Sequence, residues 1–173
     1  MFKLQSIDSV DALKISIQCE KDMKTYYEKI SSLVKDEDAL TIFKGLAEKE
    51  EKHRKKLIKT YSQVSGKKIL YLNLGKKHKL NSLERCGSDP NHSVRIAKKN
   101  EEELKSFYVT ISRRLIEPEL RQLFREMAYE RGQHYALLEA SFVEPLALDQ
   151  EPVTENENFM NEVTAHSEAI RAW

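Results

Sequence analysis

Cysteine is nearly absent. Cys19 and Cys86 are the only two, and no CxxC spacing joins them. That excludes a thiolate zinc site or a rubredoxin-type iron site, and nothing indicates a disulfide framework. Glycine and proline are also scarce, five and four in 173 residues. No run approaches ~18 consecutive apolar residues, the length a membrane-spanning helix needs. The N-terminus, MFKLQSIDS, has no charged-then-apolar signal pattern. A cytoplasmic protein with no membrane partner is therefore expected. The formal net charge is only +1, so there is no global drive toward nucleic acid or acidic lipid. What remains is one third charged and 40% apolar, a composition that suits long, soluble helices with exposed faces. The length fits one domain with a good core.

The positive signal is an internal repeat. Residues 12–57 align without a gap on residues 93–138, an offset of 81. The identities are Ile15/Ile96, Glu20/Glu101, Lys24/Lys105, Tyr27/Tyr108, Ile30/Ile111, Ser31/Ser112, Phe43/Phe124, Ala47/Ala128, His53/His134 and Leu57/Leu138. Acidic, imidazole and phenolic side chains recur in register, as a two-fold site inside a bundle requires. One position breaks the echo: Glu50 falls on Arg131.

Each copy reads as a helical pair. Helix one is predicted to start near Ser9 as N-cap, with Asp11 in the first turn. Its apolar stripe is Leu13, Ile17, Glu20, Met23, Tyr27 and Ile30, in steps of three and four. The polar turn Lys35-Asp36-Glu37-Asp38 sends helix two, about 38–64, back antiparallel. The stripe of helix two is Ile42/Phe43, Leu46, Glu50, His53 and Leu57. Helix three begins at 91–93, with Val94, Ala97, Glu101, Leu104, Tyr108 and Ile111. Helix four opens at Pro118 and presents Leu120, Phe124, Met127, Arg131, His134 and Leu138. About 25 residues, 66–91, connect the halves, too many for a tight turn. They can carry the chain along the bundle, with helix three expected to start at the same end as helix one.

The expected fold is all-α: an antiparallel, ferritin-like four-helix bundle over 1–142 with one long crossover between helices two and three. A tail over 143–173 follows. Its Thr154-Glu155-Asn156-Glu157 is a capping-box pattern opening a short helix of about 155–171. The connection carries Lys67, Lys68, Lys76, Lys77, His78, Lys79 and Arg85 beside Glu84. A solvated basic face is the plain reading, and without interleaved aromatics a nucleic-acid partner is disfavoured.

Glu20, Glu50, His53, Glu101 and His134 all lie on buried stripes, where an unpaired carboxylate costs several kcal/mol. Glu50 and His53, three apart, project from one helical face. A divalent metal pair would neutralise such a cluster, with carboxylates bridging and imidazoles completing each ion. Helix two alone is weak support, since Lys49-Glu50-Glu51-Lys52 is also a charge run. The echo strengthens it. Cys19 reads as a packed thiol; His78, His92 and His166 read as surface histidines.

The series Glu20, Tyr26-Tyr27, Phe43, Leu46-Ala47, Glu50-x-x-His53, Glu101, Phe107-Tyr108, Phe124, Met127-Ala128 and His134 resembles the rubrerythrin branch of the ferritin-like superfamily over about 12–140. The resemblance implies Glu20, Glu50, His53, Glu101 and His134 as metal ligands. It also implies Tyr27 and Tyr108 as their supporting shell and iron, with manganese or zinc as alternatives, as cofactor. It implies a peroxide- or dioxygen-reducing or ferrous-oxidising activity with an external electron donor; a homodimer is also expected.

Two departures stand out. The family's additional helix-three glutamate is Leu104, and its helix-four glutamate is Arg131. An arginine cannot ligate a metal. It can instead act as counter-ion to Glu50 or Glu101, with no metal at all, in a bundle serving as a binding or scaffold module. Glu130 is a weak substitute ligand, one residue and about 100° of rotation away.

Overall fold

A computed structural model describes residues 8–69, 83–143 and 146. Four helices make up its regular structure: α1 Ser9–Ser31, α2 Glu37–Ser65, α3 Pro90–Arg114 and α4 Pro118–Ser141. The expected boundaries move by a residue or two, and the caps explain the shifts. Asp8, not Ser9, caps α1; its carboxylate accepts from the Asp11 amide at 2.7 Å. Asp36 accepts from the Ala39 amide at 2.7 Å, so α2 begins at Glu37. Asp89 accepts from the amides of Asn91 and His92, and Pro90 takes the first turn of α3, where no N–H is needed. At the far end of α2, Gly66 adopts φ +67°, the left-handed cap that a side chain resists.

Helix direction follows from the end-to-end contacts. The Tyr26 hydroxyl donates to the Ser93 carbonyl at 2.6 Å, and Lys29 Nζ donates to the Cys86 carbonyl at 2.7 Å. Ser9 Oγ at the start of α1 donates to Glu117 beside the end of α3. The start of α3 therefore lies beside the end of α1, and these two helices run antiparallel. This corrects the expectation that helix three starts where helix one does. Helices α1 and α2 pack as an antiparallel pair, as do α3 and α4. So α2 and α3 both start at one end, and the chain between 66 and 89 must join opposite ends of the bundle. Most of that connection, 70–82, and the expected helix at 155–171 lie outside the described residues.

The stripes bury as the periodicity requires. Every residue of the α1, α3 and α4 stripes is buried, and so is that of α2 except the half-buried Ile42. Aromatic rings fill the layers toward the end where α1 closes: Tyr27 stacks on Phe43, which stacks on Phe142 at 5.1 Å. Asn91 clamps the Leu146 backbone through both its amide oxygen and its amide nitrogen, fixing the chain that leaves α4. Among the described residues no helix is long and apolar enough to cross a membrane.

Candidate functional site

Midway along the bundle the hydrocarbon core is interrupted by ionisable side chains from all four helices. Glu20, Glu50, Glu101 and Arg131 are fully buried; His134 is 1% and His53 8% exposed. Each helix supplies its member from its inward stripe, so the same 3.6-residue period that builds the core also assembles the cluster. The five residues expected as ligands converge, and Arg131 lies among them.

The geometry is organised around the guanidinium. Arg131 Nη2 donates to Glu20 and, at 2.5 Å, to Glu50 Oε2. Nη1 donates to Glu50 Oε1 at 2.8 Å and to both Glu101 oxygens at 3.2 Å. Glu50 thus bridges the two terminal nitrogens, while Glu20 and Glu101 each hold one. The imidazoles divide the same way. His53 Nδ1 lies 3.4 Å from Glu20 and 3.7 Å from Glu50; His134 Nδ1 lies 3.3 Å from Glu50 and 3.6 Å from Glu101. Neither Nδ1, nor Arg131 Nε, meets a partner in hydrogen-bond geometry.

The tyrosines cross between the repeats. Tyr27 of α1 donates to Glu101 of α3, and Tyr108 of α3 donates to Glu20 of α1. In both repeats the tyrosine follows its own glutamate by seven residues, two turns along one face. Sequence pairing could place both on the core side. It could not say that each serves the other repeat's carboxylate. Burial, together with the carboxylate each faces, pushes both phenols well up, so they remain neutral donors.

Electrostatics separates Glu20 from Glu50. Burial raises Glu20 to about 7 despite Arg131, with Glu50 adding to the rise. Burial also opposes ionisation of Glu50, but Arg131, His134 and His53 override it and hold Glu50 well below the usual carboxylate range. Burial works against charge on His53; Glu20 and Glu50 reverse that and lift it to about 10. His134 rises as well, because Glu101 and Glu50 outweigh its burial. Arg131 and His53 therefore bring positive charge to the buried acidic groups, which is how such a cluster can persist.

Glu130 does not substitute for the missing helix-four carboxylate. It points away from the cluster and meets Nε2 of His53 from outside, with 37% of its side chain exposed. The rotation of one residue along α4 accounts for this. Its role as a partner of His53 was not visible in sequence, because the position it echoes is Lys49. Cys19 is a packed thiol, its pKa pushed up by burial and by Glu20. His92 is exposed, as expected; His78 and His166 lie outside the described residues.

Residues 11–142 match the family model for rubrerythrin. The chain belongs to the rubrerythrin family. A solved structure of a hypothetical protein from Pyrococcus furiosus is similar at 28% identity and a TM-score of 0.68, covering 82% of this chain and 92% of that one. No curated protein sequence matches. Membership identifies the helical bundle as one whose family is built around carboxylate-bridged iron, and two donor sets here could hold a metal: Glu20, Glu50 and His53, and Glu50, Glu101 and His134. As donors these sets suit a metal pair, with Glu50 shared. Arg131 does not. Its guanidinium engages the oxygens of all three carboxylates from a fully buried position. It carries a permanent positive charge where a dication would stand. With Arg131 seated, the residues present do not fit a metal pair.

Proposed function

We propose that this rubrerythrin-family bundle works without metal, as a binding or scaffold module whose internal cation is Arg131. A single observation carries the reading: one buried guanidinium spans Glu20, Glu50 and Glu101. A bidentate, charge-assisted contact is strong and directional. It also uses the oxygens a metal would need. The expected partner is a second copy of the chain, which sedimentation would reveal as a dimer. The test is elemental analysis of protein purified without chelator. Iron, manganese and zinc should each fall far below one equivalent per chain. Stoichiometric metal would overturn the reading.

A second reading is favoured by a different observation. Two buried imidazole Nδ1 atoms face carboxylates without hydrogen-bond partners, and unpaired buried polar atoms call for an explanation. Here Arg131 would withdraw and the chain would be an iron oxidoreductase of the family's type. It would act on peroxide, dioxygen or ferrous iron, supplied by an external electron donor. Stoichiometric iron in the native protein is the result that would favour it.

A further inference from the structure

The two terminal nitrogens of Arg131 are distributed as two ions would be. Nη2 takes Glu20 and Glu50, the carboxylates nearest His53. Nη1 takes Glu50 and Glu101, the carboxylates nearest His134. These are the two donor sets that could each hold a metal, with ligand atoms within 4.8 Å of one another in each. The tyrosines donate to Glu101 and Glu20, and Glu130 meets His53 on its other nitrogen, Nε2.

We propose that Arg131 alone closes a preformed two-metal centre, each terminal nitrogen holding one half-site, so that exchanging this one side chain for a carboxylate opens it. The inference rests on the metal-free reading above. It adds that the other ligands have kept their places. Position 131 echoes position 50 across the repeat, and Glu50 already reaches both half-sites. A carboxylate at 131 would face it across the pseudo-two-fold and supply the missing bridge. The charge count agrees. Removing a +1 group and adding a carboxylate leaves four negative charges, which two dications balance with neutral imidazoles.

Arg131→Glu, loaded anaerobically with ferrous iron and separately with cobalt(II), is the test. About two equivalents per chain should be retained through gel filtration. The cobalt form should show ligand-field absorption, and metal should raise the variant's melting temperature while leaving the parent's unchanged. Glu50→Gln in the Arg131→Glu background should lose most of that binding. Four uncompensated carboxylates can unfold the metal-free variant; refolding on addition of cobalt would then support the proposal equally. If Arg131→Glu folds under neither condition, Arg131→Gln decides. At least one bound equivalent supports the proposal, and none overturns it. A folded Arg131→Glu that binds no more cobalt than the parent also overturns it. Metal already bound to the parent overturns the metal-free reading instead, so the two failures are distinguishable.

Discussion

At the scale of single residues, Arg131 carries the centre. Among the described residues it is the largest fully buried side chain, placed among three carboxylates and two imidazoles. Its guanidinium carbon also lies 6.0 Å from the centroid of the Tyr108 ring, a position that favours a cation. Truncation removes the one cation that reaches all three carboxylates, and breaking a buried ion pair costs about 3–5 kcal/mol. Arg131→Met should therefore lower unfolding free energy by roughly that amount in urea titration, with the slope unchanged. A loss under about 1 kcal/mol would mean that the carboxylates simply take up protons, as the upward shift of Glu20 allows. The sequence showed that an arginine interrupts the echo and could pair with Glu50 or Glu101. That it would reach Glu20 as well depends on how four helices set their depth, which no one-dimensional period contains.

At the scale of helices, most was legible. The stripes came from spacing alone, because a period of 3.6 is the only way to bury Leu13, Ile17, Tyr27 and Ile30 along one line. The caps were less so. Asp8 and Ser9 are adjacent and both are good N-cap residues; the structure chooses Asp8, freeing Ser9 Oγ to donate to Glu117. The orientation of α3 is not legible in the sequence, since local pattern fixes a helix but not its direction. Only distant contacts such as Tyr26 with Ser93 do that. Asp36 is the cap with most at stake, because it starts α2 immediately after the turn from α1. Asp36→Ala should cost about 1 kcal/mol, read as a fall in melting temperature. An unchanged melting temperature would show that the turn, not the cap, sets the start of α2.

Across the whole molecule, the cluster links stability to pH. His53 is lifted from 6.5 to about 10 in the folded chain. A group raised on folding contributes stability that is complete below its unfolded pKa and lost as pH climbs through the folded one. Glu20, raised from 4.5 to about 7, acts in the same direction over a lower window. Melting temperature should therefore decline steadily from pH 5 to pH 10, with His53 and His134 both contributing from 6.5 upward. Calorimetry of His53→Gln should show that alkaline limb flattened; a slope equal to the parent's would remove His53 as a source. The repeat also has a consequence for assembly. The first helical pair carries Glu20 and Glu50, yet the guanidinium that answers them sits 111 and 81 positions later. During synthesis the amino-terminal half leaves the ribosome with Glu20 and Glu50 answered only by His53, and Arg131 follows with the last helix. The two similar halves are therefore tied to each other by charge across the bundle.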